Sequence, residues 1–178
     1  MATTVQAWGR GESILYNNVY VLDDDLDVIG QIEDIAPDES IYSTRFLGDR
    51  LYMVTFKRID PFFVISLKDP KNPEILGKLK IPGYSDYLHP YDENTIIGIG
   101  KETEGNQWGG ISTAGVKIAL FDVSDVNNPE EIDKIEIGSQ GTDSEALHEH
   151  KAFLFDKKRN LLVIPVREVK ERRIYDPV

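Results

Sequence analysis

Apolar residues in this chain come in short, dense runs with no helical period. The runs are VYVL (19–22), RLYMVTF (50–56), FFVISL (62–67), TIIGIG (95–100), VKIALFDV (116–123) and LLVIPV (161–166). They are rich in β-branched and aromatic residues, which suit a pleated and packed surface. Polar turn clusters separate them: LDDDLD, FLGDR, KDPKNP, HPYDEN, SDVNNP and DKKRN. Strands of about six residues with a turn every ~8–12 residues predict an all-β sandwich, barrel or propeller.

An internal repeat decides among these. FVISLKDPKNPEILGKLKI (63–81) lines up with LFDVSDVNNPEEIDKIEI (120–137), so that Asn72-Pro73 falls on Asn128-Pro129. In each copy an apolar strand enters a short Asp/Asn/Pro turn, and a strand of alternating apolar and charged residues follows. Asp69 and Asp125 are placed to form Asx-type bonds, and the proline fixes φ after the asparagine. A second element repeats with it: a short first strand carrying serine (Ser43, Ser85, Ser144), then a turn and a strongly apolar strand.

Together these copies predict a partial β-propeller built from four-stranded antiparallel blades, about three blade equivalents in all. The expected units are a partial blade over 1–34, blades over 42–80 and 84–137, and a partial blade over 144–167. Propellers close with about four to eight blades. The chain is therefore expected to be a segment of a larger ring, or to self-associate through its uncovered end blades.

The stretch YSTRFLGDRLYMVTFKRIDPFFVISLKDPKNPEILGKLKIPGYSDYLHP (42–90), with LFDVSDVNNP and SEALHEHKAFLF after it, resembles an archaeal and bacterial family. Its members are secreted proteins with a C-terminal β-propeller domain distantly related to WD-type repeats. The resemblance runs from Ala2 to about Val166. It implies a propeller fold and, for full-length members, export or cell-surface attachment. It implies no particular activity. An export signal and later blades, which the family would lead one to expect, are missing from these residues, so the resemblance implies a truncated representative.

Charge narrows the choice of partners. Asp and Glu outnumber Lys and Arg by 31 to 20, giving a net charge of −11. Such a surface repels phosphate backbones, so nucleic acid is not an expected partner. The absence of cysteine excludes disulfides, thiolate zinc sites and cysteine nucleophiles within the chain. No stretch approaches the ~20 apolar residues of a membrane-spanning helix.

In a propeller, first strands line the central channel and the loops at its mouth carry function. Strand alternation puts Ser43 with Arg45, Ser85 with Tyr87 and His89, and Ser144 with Ala146, His148 and His150. Thr44, Asp86 and Glu145 point the other way. Arg45, Asp86, His89, Glu145 and His148 are the channel candidates, and Trp108 is the loop candidate, in the glycine-rich segment 101–115. The repeated serine reads first as structural, bonding a neighbouring backbone group.

His148-Glu149-His150 places two imidazoles on one face of a strand, and His89 is its repeat equivalent. A metal needs further converging ligands, so no metal and no cofactor are assigned. Asp23, Asp25 and Asp27 start like a calcium loop, but Val28 and Asp34 stand where its glycine and glutamate belong. No serine–histidine–acid set is credible, so no catalytic residue is assigned. The expected function is a non-enzymatic scaffold, secreted or at the cell surface, for a protein or glycan ligand. The alternatives are a channel-site enzyme, hydrolytic or metal-dependent, and a structural envelope component.

Overall fold

The computed structural model describes residues 1–9, 12–56, 60–105 and 110–170. Among these the chain is all-β, with 3-10 turns as its only helical elements. The first sheet has three strands, β1 (Ala2–Gly9), β2 (Glu12–Leu22) and β3 (Val28–Ile35). The second has four: β4 (Ser40–Leu47), β5 (Arg50–Phe56), β6 (Asp60–Ser66) and β7 (Glu74–Ile81). The third also has four: β8 (Tyr84–Pro90), β9 (Thr95–Gly105), β10 (Ile111–Asp122) and β11 (Glu130–Ile137). A two-stranded sheet, β12 (Leu154–Asp156) and β13 (Leu161–Val163), follows two 3-10 turns at Glu145–Leu147 and His150–Ala152. Within each sheet every strand pairs antiparallel with its neighbour in sequence.

The apolar runs are continuous because the middle strands are buried on both faces. Leu51, Met53, Phe63 and Ile65 pack with Val19 and Ile35 of the first sheet. Between them, Tyr52, Val54, Phe62 and Val64 pack with Leu88, Ile96, Ala119 and Phe121 of the third. The period of two thus sends alternate side chains into two different inter-sheet cores. A third core joins Ile97, Ile99 and Val116 to Leu147, with Phe153, Phe155, Leu162 and Ile164 packed against it. This is the stacking of propeller blades, with the second and third sheets covered on both faces.

The Asp/Asn/Pro turns form as their chemistry dictates. Asp69 accepts the backbone N–H of Lys71 at 3.0 Å and the amide of Asn72 at 2.8 Å. Asp125 does the same for Asn127 at 3.0 Å and Asn128 at 2.8 Å. These bonds favour the carboxylate, and both aspartates are held below the ordinary range, the asparagine side-chain bond being the largest cause.

Each turn then docks on a glycine of the preceding sheet. A Cβ on Gly30 would lie 2.1 Å from the carbonyl oxygen of Pro70, and one on Gly77 would lie 2.1 Å from that of Val126. Both glycines follow a bulge in the outermost strand of their sheet. The equivalent position after the bulge in β11 is Asp133.

The inner strands are stitched by serine. Ser43 donates its hydroxyl to the Ser85 carbonyl at 2.6 Å, joining β4 to β8 across the sheet boundary. In the glycine-rich segment 101–115 the described residues extend β9 and β10. Thr103–Gly105 pair with Ile111–Thr113, and a bulge at Ala114-Gly115 absorbs the extra length.

Candidate functional site

The fourth unit begins its first strand and then abandons it. Asp143 and Arg167 exchange both backbone hydrogen bonds, at 3.1 and 2.8 Å. In that antiparallel register the next bonded pair needs an N–H from Pro165, which has none. Pairing stops, and it resumes only at Leu154 opposite Val163. The long segment 144–153 therefore stands opposite the short segment 164–166.

Ser144 closes the gap. Its backbone is extended (φ −139°, ψ 135°), and its hydroxyl accepts the N–H of Ala146 at 3.2 Å. The same hydroxyl donates to the Pro165 carbonyl at 2.6 Å. It caps the first 3-10 turn and ties that turn to the facing strand. Glu149 caps the second turn, accepting the N–H of Lys151 at 3.1 Å.

This arrangement corrects the expected strand over 144–148, and with it the shared face of Ser144, Ala146, His148 and His150. The two histidines diverge. His148 lies 4.0 Å from Asp143, while the His150 ring packs on Tyr87 at 4.8 Å. Among the described residues no three His, Cys, Asp or Glu side chains converge to hold a metal ion.

Asp86 also departs from alternation. It is the extra residue of a bulge in β8, between the pairs Ser85–Gly100 and Tyr87–Ile99. A bulge re-aims its residue, and the Asp86 carboxyl comes under the influence of His148, Lys101 and Asp143 of the interrupted unit and its neighbour. Burial pushes its pKa up to about 6 against the pull of His148 and Lys101, with Asp143 adding to the rise. Asp143 behaves oppositely. The Lys101 ammonium, 3.1 Å away and also bonded to the Thr142 carbonyl, holds it below the ordinary carboxylate range. Two neighbouring carboxyls thus titrate in different ranges: Asp86 takes up a proton near pH 6, while Asp143 stays an anion there.

Beside them opens a cleft of about 410 Å³, walled by Asp143, Ser144, Glu145, Pro165 and Arg167. Glu145 is exposed on the first 3-10 turn, at its rim. The carboxylates of Asp143 and Glu145, the Arg167 guanidinium and the His148 imidazole near Asp143 can bind hydroxyl, amide or charged groups of a ligand.

His89 and Arg45 form a separate patch. The His89 ring is half-buried, contacts Phe153 at 4.8 Å and Phe155 at 5.3 Å, and meets the Tyr87 hydroxyl at 3.2 Å through Nδ1. Burial, and then the charge of Arg45 on β4, lowers its pKa. Trp108 lies outside the described residues. Lys101, Asp143 and Arg167 were not singled out by the sequence pattern. Lys101 lies within β9 and Asp143 and Arg167 form an isolated bridge pair, and Lys101 meets Asp143 only through packing of one unit on the next. The run Ser144-Glu145-Ala146-Leu147, a capping residue before helix formers, was the available signal.

Comparison with known proteins agrees with this architecture. The sequence profile described as a beta propeller domain matches residues 1–177. An uncharacterized protein of Methanocaldococcus jannaschii is 46% identical over 165 residues, covering 93% of this chain and 25% of that protein. An uncharacterized protein of Archaeoglobus fulgidus is 46% identical over 165 residues, covering 93% of this chain and 24% of that protein. The chain spans about a quarter of the length of these relatives. No solved structure matches it.

Proposed function

The chain belongs to the beta propeller domain family, and from that premise we propose that it is a non-enzymatic binding segment of a larger protein. Its ligand is a protein or glycan held at the cleft beside the interrupted strand. The observation that carries this reading is the excursion of Ser144–Phe153 out of the blade pattern. The other inner strands, β4 and β8, run through without such a break. A fold that breaks its own repeat at one place, and gathers ionisable groups there, marks that place as functional. The net charge of −11 favours ligands other than nucleic acid.

The test is an array of glycans and peptides probed with the full-length protein, then with Asp143→Asn, Glu145→Gln and Arg167→Ala variants of unchanged circular dichroism. The reading expects a retained ligand whose binding the cleft variants weaken at least tenfold. A ligand retained equally by all variants, or no ligand at all, overturns it.

A second reading, a channel-site hydrolase, draws support from Asp86, a carboxyl with a pKa of about 6 within the field of His148. It expects turnover of an ester, peptide or glycoside that Asp86→Asn abolishes without weakening substrate binding. Placement of the whole protein at the cell surface, and an envelope role, have the family resemblance as their support. Fractionation of cells with antibody to the full-length protein tests both. Self-association is supported by the end sheet, where Leu154, Leu161 and Val163 are 53%, 45% and 48% exposed.

A further inference from the structure

We propose that a second site, between the β4–β5 and β8–β9 turns, binds a guanidinium group such as an arginine side chain of a peptide. The two turns belong to neighbouring sheets and enclose a cavity of about 400 Å³. Asp49 and Arg50 come from one turn, Glu93 and Asn94 from the other, and Tyr52 forms part of the lining between them.

Both walls are fixed in the same way. The Leu67 N–H bonds the Asp49 carbonyl at 2.7 Å, and the Val123 N–H bonds the Asn94 carbonyl at 2.8 Å. The cavity is thus held open by backbone bonds to the strands behind it and needs no ligand to form.

Tyr52 supplies the independent observation. Its side chain is 0% exposed and stacks on Phe62 with centroids 5.8 Å apart. Among the described residues its hydroxyl has no hydrogen-bond partner. Buried polar groups are nearly always bonded, so an unbonded one beside a cavity marks where a ligand atom belongs. The framework itself does not need the hydroxyl. The shared turn bond aligns Asp49 with Asn94, and so Tyr52 with Ile97, which fills the same place in the next sheet.

Charge selects the ligand. Asp49 and Glu93 are exposed at the rim, and among the described residues neither is engaged in an ion pair. With Arg50 the lining carries an excess of one negative charge, within a chain of net charge −11. A planar guanidinium offers five N–H donors. Two can fork to a carboxylate while another reaches the phenol oxygen. An ammonium would be a point charge without that fork, and an anion would face both carboxylates.

The experiment titrates capped arginine (the N-acetyl, N-methylamide derivative) into isotope-labelled protein and follows the Tyr52 ring and Asn94 amide by NMR. Saturable shifts at these residues are expected. An Asp49→Asn/Glu93→Gln double variant is expected to weaken binding at least tenfold, and Tyr52→Phe several-fold. Tyr52→Phe loses only the unbonded hydroxyl, so its fold and stability are expected to be kept or improved. Capped citrulline, the neutral isostere, is expected not to bind, and capped lysine to bind more weakly than arginine. No saturable shift, shifts confined to other residues, or equal binding of citrulline or of capped glutamate overturns the proposal.

Discussion

Replacing Gly77 by alanine puts a methyl group 2.1 Å from the carbonyl oxygen of Val126 and 2.9 Å from Pro129 Cδ. Carbon and oxygen in contact normally sit more than 3 Å apart, so one sheet must retreat from the other by about an ångström. Two effects oppose. Alanine restricts the unfolded chain more than glycine and gains about 0.5–1 kcal/mol in a strand. Overpacking a tight contact costs about 1–3 kcal/mol, and here the obstacle is backbone, which yields little. The turn that would have to move is braced by the Asp125–Asn128 bonds, so the upper part of that range applies. The net expectation is a loss of about 2 kcal/mol, or a fall in Tm of roughly 4–8 °C for a chain of this size. Thermal unfolding followed by circular dichroism measures it. Gly105→Ala is the control, since a Cβ there meets nothing within 4 Å. A Gly77→Ala protein melting within 2 °C of the parent, or above it, would refute the docking of turn on glycine as the contact that spaces the blades.

Two further outcomes follow from buried polar groups. The carboxyl of Asp86 has its pKa raised to about 6, so between the unfolded value near 3.9 and that point the folded state binds more protons. Its contribution is fully present below the unfolded pKa and lost as pH rises through about 6. Asp86→Asn is therefore expected to match the parent near pH 3.5 and to exceed it above pH 7, by at most about 3 kcal/mol in urea melts; equal differences at both pH values would contradict this. Asn17 is fully buried and donates to the carbonyls of Ile35 and Glu39, each at 3.0 Å, around a turn in which Asp34, Ala36 and Asp38 hold positive φ. Asn17→Ala is expected to cost about 2–3 kcal/mol by leaving those carbonyls unbonded, and a cost below about 0.5 kcal/mol would show that the turn holds itself.

What was legible in the sequence was local chemistry and its repetition. The Asp69–Asn72 and Asp125–Asn128 turns are read from four residues each, because aspartate and asparagine close a turn by bonds to groups two and three residues away. Apolar runs gave the buried strands, because both faces of β5 and β6 are covered. The candidate site was legible only in part, because it consists of departures from the period of two. A bulge at Asp86 and a missing N–H at Pro165 each displace a side chain that alternation assigns elsewhere. Lys101 and Asp143 are far apart in sequence and meet only when one blade packs on the next. Nothing in the local pattern around either residue signals that contact.

The account turns on the interrupted strand bringing Asp86 into the field of His148, Lys101 and Asp143. The direct measurement is the carboxyl ¹³C titration of Asp86 by NMR, in the parent and in His148→Ala. The account predicts a midpoint of about 6 for Asp86, rising further when the imidazole that lowers it is removed. A midpoint near 4 in the parent, or one indifferent to His148, would contradict it.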